Sequence, residues 1–142
     1  MGAKQIHDKY GKKILEMAMG ERYCQKPQAI HFGQNAGKFV IDGTIDNSIA
    51  VEIESRANKQ ARGAVLDLLC HPYAMKLMVI IDKYGNDYTE NQCNTILNKF
   101  CKQDAYKVIK LKGNGNSENI EEDVKIIKNA VTEIFNSYYE FN

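Results

Sequence analysis

The chain has 142 residues, 44% hydrophobic and 26% charged, with a formal net charge of +1. That size and balance fit a single domain spanning 1–142 with a core of its own, and exclude a disordered or collagen-like chain. The near-neutral charge excludes a partner held by overall basicity, so a nucleic acid would have to be met by a local basic surface.

Apolar residues at Ile6, Tyr10, Ile14 and Met17 predict a helix over 4–19 that closes at Gly20. Residues 28–34 and 38–42 read as short strands around the Asn35-Ala36-Gly37 turn, and 49–55 as a third strand completing a meander. Thr44–Ser48 reads as the polar turn before that strand, with Asp46 as a turn residue. Asn58 is placed to cap a helix running to about Cys70, where His71-Pro72 stops it. Residues 75–82 form a nearly continuous apolar run, the mark of a central strand covered on both faces. Thr89–Gln92 reads as a capping box for a helix with Cys93, Ile96, Leu97, Phe100 and Cys101 on its inner side. Residues 106–111 make another strand. Asn119 with Glu122 then caps a last helix striped by Ile120, Val124, Ile127, Val131, Ile134 and Tyr138. The predicted order is αβββαβαβα, an α/β fold with a mixed central sheet flanked by helices.

No apolar run approaches the ~20 residues of a membrane span, and the basic, polar start MGAKQIHDKYGKK is no secretory signal. Cys24, Cys70, Cys93 and Cys101 show no C-x-x-C pair, so they read as reduced thiols in a cytoplasmic setting.

The chemistry concentrates in FVIDGTIDNSIAVEIES, Phe39 to Ser55. Its second half alternates apolar and polar residues with the period of a strand. The polar positions are Glu52 and Glu54, two carboxylates on one strand face that repel each other. The run Phe39-Val40-Ile41 delivers Asp42 at the end of the neighbouring predicted strand. Three carboxylates converging from two strands suit a hard divalent cation, Mg²⁺ with Mn²⁺ as a substitute. The competing reading is a surface strand with scattered acids.

Asp42, Glu52 and Glu54 in the frame IAVEIES resemble the active-site motif of the PD-(D/E)XK nuclease superfamily. The nearer likeness is to BamHI-like restriction endonucleases, in which a second glutamate replaces the motif lysine. The resemblance implies one nuclease-like domain with a restriction-endonuclease-like core and the acids on strands two and three. It implies that Asp42 and Glu52 hold the metal and that Glu54 is a further ligand or the group that orients or deprotonates the attacking water. The chain departs from the pattern in having no Pro before Asp42 and no motif lysine. The implied activity is a Mg²⁺-dependent DNA endonuclease leaving a 5′-phosphate, working on duplex as a homodimer or with a partner subunit. The alternative is a non-catalytic α/β module that binds nucleic acid or protein.

Arg56, Lys59, Gln60 and Arg62 follow the acidic strand and could meet phosphates at the start of a helix, or form an ordinary solvated surface. Lys59 or Gln60 could stand in for the missing lysine. Glu16 or Glu21, in or near the first helix, could complete a metal shell. His7, His31 and His71 are isolated and read as structural. Tyr138, Tyr139 and Phe141 form an aromatic end suited to packing or a subunit contact. No P-loop, G-x-G-x-x-G or G-x-S-x-G motif is present.

Overall fold

The structure is a computed structural model, described here over residues 2–82, 87–101 and 105–140. In chain order its elements are α1 (Ala3–Met19), β1 (Tyr23–Cys24), β2 (Ile30–His31), β3 (Lys38–Phe39), β4 (Gly43–Ile45) and β5 (Ile49–Glu54). They continue with α2 (Lys59–Cys70), β6 (Met75–Ile81), α3 (Tyr88–Phe100), β7 (Tyr106–Leu111) and α4 (Ile120–Glu140). Five strands form one mixed sheet in the order β1-β4-β5-β6-β7. The β1–β4 and β4–β5 pairs are antiparallel, and β5–β6 and β6–β7 are parallel. The sheet and its helices read αβββαβαβα once β2 and β3 are set aside, but two strands are not those expected.

The segments read as the first two strands of the meander, 28–34 and 38–42, instead supply β2 and β3, which pair only with each other. Their hairpin is closed by Phe32 stacked on Phe39, with ring centres 4.9 Å apart. The partner of β5 is Gly43-Thr44-Ile45, most of which had read as turn. Asp46 and Asn47 explain the difference. Both hold a left-handed backbone, with φ of 52° and 49°, so the reversal is tighter than the sequence suggested. Ile45 and Ile49 then fall opposite each other, both fully buried. Gly43 fits because a Cβ there would lie 2.3 Å from the Tyr23 ring and 2.8 Å from the Cys24 carbonyl oxygen.

Helices cover both faces of the sheet. Ile49, Val51 and Ile53 join Leu77, Val79 and Ile81 in the layer under α1 and α4. Ala50, Met78, Ile80 and Val108 form the layer under α2 and α3. The first layer is locked by Asp123, fully buried, whose carboxylate accepts from the Tyr10 hydroxyl at 2.6 Å and from the Lys112 and Gly113 amides at 2.7 and 2.9 Å. The last helix buries Ile127, Val131 and Ile134 of the predicted stripe, with Ile120, Val124 and Tyr138 partly buried against the same core. In α1, however, the inner face runs through His7, Tyr10, Ile14 and Leu15, and Met17 is exposed.

Two predicted caps form differently. Asn58 holds φ 57° with no side-chain cap bond, and α3 starts at Tyr88 with Asp87 before it, ahead of the expected box. Phe100 is exposed and Cys101 lies just past the helix. Among the described residues no helix is long and apolar enough to cross a membrane. Phe141 lies outside the described residues.

Gly43→Ala should lower stability by about 1–3 kcal/mol through the clash with Tyr23. Gly63→Ala, where a Cβ meets open space on α2, should instead stabilise by about 0.4–1 kcal/mol. Urea unfolding of both variants checks the contrast.

Candidate functional site

Every residue of β5 is buried, and because its side chains alternate, Glu52 and Glu54 point with Ala50 into the α2/α3 layer. Glu52 is 7% exposed and Glu54 3%. Carboxylates held away from water must be compensated. The two are compensated in different ways.

Glu54 is met by a fixed charge. The Arg56 guanidinium donates from Nη2 to Oε1 at 2.9 Å and from Nε to Oε2 at 3.0 Å. The Ser55 and Arg56 amides add bonds to Oε2 at 2.9 and 3.0 Å. Burial alone would raise the Glu54 pKa, but Arg56 and these amides outweigh it and hold the carboxyl below the usual range.

Glu52 sits beside Asp42. The Asp42 amide donates to Glu52 Oε1 at 2.8 Å, and the Ile53 amide donates back to Asp42 Oδ2 at 2.8 Å. This reciprocal latch ties the residue ahead of β4 to the middle of β5. Burial first, then the Asp42 charge, with smaller pushes from Asp67 and Glu54, drive the Glu52 pKa up to about 9. Its proton is therefore kept at neutral pH. Asp67, facing in from α2, is itself raised by burial.

Asp42 and Glu52 are thus brought together, while Glu54 turns to Arg56. Among the described residues no three His, Cys, Asp or Glu side chains form a group placed to hold a metal. The position is nonetheless one where α/β sheets place ligands, at the carboxyl end of parallel strands. Lys110, in the same cross-strand row as Glu54 and Ile80, reaches Asp87 at 2.5 Å and Asp82 at 3.6 Å there. Cys93 of α3 lies on the inner side, its thiol pushed up to about 11 by burial and by Glu54.

The flanking candidates separate. Arg56 has a half-exposed side chain, and Lys59, Gln60 and Arg62 are exposed at the start of α2. Glu16 is exposed and accepts from Gln25, and Glu21 is exposed in the turn after α1. The acid of α1 whose charge reaches Arg56 is Asp8. Gly11 explains its placement. A Cβ there would lie 2.8 Å from Ile53, so α1 rests directly on β5 and Asp8 comes just ahead of that contact. The sequence signal was the stripe through positions 7, 11 and 14, which Asp8 flanks. His31 is exposed, while His7 is buried against the Asn114 carbonyl. No protein-family model, curated protein or solved structure matches this chain.

A group whose pKa is raised on folding contributes stability that is full below its unfolded value and is lost as pH rises toward its folded one. For Glu52 that window runs from the ordinary 4.5 up to about 9. Glu52→Gln should therefore stabilise the protein by about 1–3 kcal/mol at pH 8, with little gain near pH 4. Glu54 contributes in the opposite sense, its stability being lost as pH falls through its depressed folded pKa. Thermal melts across pH of wild type and Glu52→Gln check the sign.

Proposed function

We propose that the chain is a Mg²⁺-dependent DNA endonuclease whose centre is the Asp42–Glu52 pair. The observation that carries this reading is a buried carboxyl pushed up to about 9 beside a second acid at the carboxyl end of the parallel strands. Such a pair is relieved by a proton or by a cation. The order of the sheet supports the same reading. Asp42 stands directly ahead of the second strand of the sheet in chain order, and Glu52 and Glu54 lie on the third, followed by α2 and the parallel β6. That is the layout a restriction-endonuclease-like core implies.

The residues fit Mg²⁺, which one or two carboxylates hold while substrate phosphates and water fill the remaining positions. Asp42 and Glu52 would hold it; Mn²⁺ would substitute. When bound, the ion would polarise the scissile phosphate and lower the pKa of the attacking water. Glu52 would release its proton to solvent on binding the ion. Glu54 acts by holding Arg56 in a two-point grip, leaving its remaining N–H donors to face a phosphate oxygen. Arg56 then carries the positive charge that the motif lysine carries in the family. Lys59, Gln60 and Arg62 extend a polar, mainly basic surface along the start of α2 for the backbone of the DNA. Cleavage of both strands, leaving 5′-phosphates, calls for a second copy or a partner subunit.

One observation favours the second reading, a silent binding module. Asp42 and Glu52 already bond backbone amides, and Glu54 is satisfied by Arg56, so all three acids have structural work.

Plasmid nicking decides between them. Wild type should cut with Mg²⁺ or Mn²⁺ and not with EDTA. Asp42→Asn and Glu52→Gln should each lose at least about 100-fold in rate with unchanged circular dichroism, the scale of removing one transition-state stabiliser. Mn²⁺ should also raise the melting temperature of wild type at pH 8 but not of Glu52→Gln. No metal-dependent cleavage by wild type, or full activity in Glu52→Gln, would sink the nuclease reading.

A further inference from the structure

A second buried charge lies at the other end of the same sheet face. Lys76, 5% exposed near the start of β6, sits between Ala50 of β5 and Tyr106 of β7. Its Nζ donates to the His71 carbonyl oxygen at 2.7 Å, and no carboxylate of the described residues pairs with it. An ammonium group has three donors, and one carbonyl takes one of them. Burial draws its pKa down to about 8, with Cys101 and Cys70 pulling weakly upward. A buried cation in this state gains from an anion placed against it.

The structure also provides room for one. A cleft of about 370 Å³ opens beside Lys76, walled by Leu69, Pro72, Tyr73 and Phe100. That volume is at the small end of the range for small-molecule sites. His71 shapes the wall without adding a charge. Its Nδ1 accepts from the Tyr73 amide at 3.2 Å, its ring stands edge-on to Tyr73, and burial and Lys76 keep its pKa low.

We propose that this cleft is a binding site for a small monoanionic organic acid with an apolar body, its carboxylate seated on Lys76. One cation calls for one negative charge, and the aromatic and aliphatic walls call for an apolar remainder. A phosphate dianion or a polyanion would call for more positive charge than the single lysine of the described lining supplies. The site shares no residue with the Asp42–Glu52 pair. The Ala50–Lys76–Tyr106 row lies two residues along the strands from the Glu52–Met78–Val108 row, a separation of roughly 7 Å. The inference stands whether or not the chain cuts DNA.

Bound carboxylate favours the charged lysine, so affinity is greatest below the Lys76 pKa and falls above it. Among the described residues the titratable groups around Lys76 are Cys70 and His71 at the end of α2, Tyr73, Cys101 after α3, and Tyr106 on β7. None of them is a carboxylate that would take the place of the ligand.

Benzoate is a suitable probe, followed by amide chemical shifts in the intact chain, with inorganic phosphate as the comparison. Wild type should saturate at millimolar benzoate or below at pH 7, with shifts centred on His71–Lys76 and Cys101. Affinity should fall about tenfold or more by about pH 9.5, as Lys76 loses its proton. Lys76→Met, close in length and able to fill the same space, should lose at least about tenfold at pH 7. The wild-type pH dependence keeps the test decisive if that variant does not fold. Absence of saturation, shifts centred elsewhere, affinity that ignores pH, equal binding to Lys76→Met, or phosphate binding as tightly as benzoate would each overturn the proposal.

Discussion

The structure depends on how β5 carries two carboxylates through the middle of a sheet covered on both sides. Its odd-numbered residues, Ile49, Val51 and Ile53, are ordinary core and fix which face meets α1 and α4. The opposite face cannot be ordinary, because an ionised carboxylate buried without a partner costs several kcal/mol, against about 1 kcal/mol for a typical hydrogen bond. Much of the local architecture answers that cost. The chain turns directly after Glu54 so that Arg56 folds back on it, and the segment before β4 is drawn in so that Asp42 and Glu52 exchange backbone bonds with each other's strands.

These answers differ in what they allow afterwards. Glu54 is neutralised by the guanidinium of Arg56, two residues further along the chain, and freeing it means breaking four hydrogen bonds at once. Glu52 is neutralised by a proton, which can leave. Of the three acids read from the sequence, the exchangeable position is therefore the Asp42–Glu52 pair, and Glu54 is the anchor of a positive side chain. A motif that counts carboxylates treats the three alike. Their hydrogen bonds separate them.

Legibility followed the length of the periodic signal. The apolar run of β6 and the stripe of α4 extend over many residues, so no single substitution of register obscures them. The alternation of β5 was equally plain. The failures were short or depended on distant partners. Gly43-Thr44-Ile45 is only three residues long, and its polar middle and glycine start resemble a turn; what makes it a strand is Ile45 facing Ile49 across a reversal held by two left-handed residues. Phe39-Val40-Ile41 has the better local strand character, yet its alternation serves to pack Phe39 and Ile41 against the α2/α3 layer and leaves Val40 exposed. Asp8 comes within reach of the Arg56 charge through the close approach of α1 to β5 at Gly11, a contact between residues far apart in the chain. Lys76 was hidden within an apolar run, where one lysine reads as noise until the sheet shows that it is buried.

On the α2/α3 face the buried ionisable groups of β5 and β6 are separated by sign along the strands. Acids occupy β5 toward its carboxyl end, the lysine lies near the start of β6, and the Ala50, Met78 and Val108 side chains insulate them. The helix that spans this arrangement is α2. Its start follows Arg56, and the residue that caps its end, His71, gives its carbonyl to Lys76. Its buried side is built from Ala61, Ala64, Val65 and Leu68, two of them small, and it meets Ala50 on β5. Small residues on both surfaces let helix and sheet approach closely, which excludes water from the carboxylates and raises the pKa of Glu52. A bulkier residue at Ala61 or Ala64 would lift α2 from the sheet, rehydrate Glu52 and loosen the seat of Lys76 at the same time. The same small-residue contact therefore sets the charge state at both ends of the face.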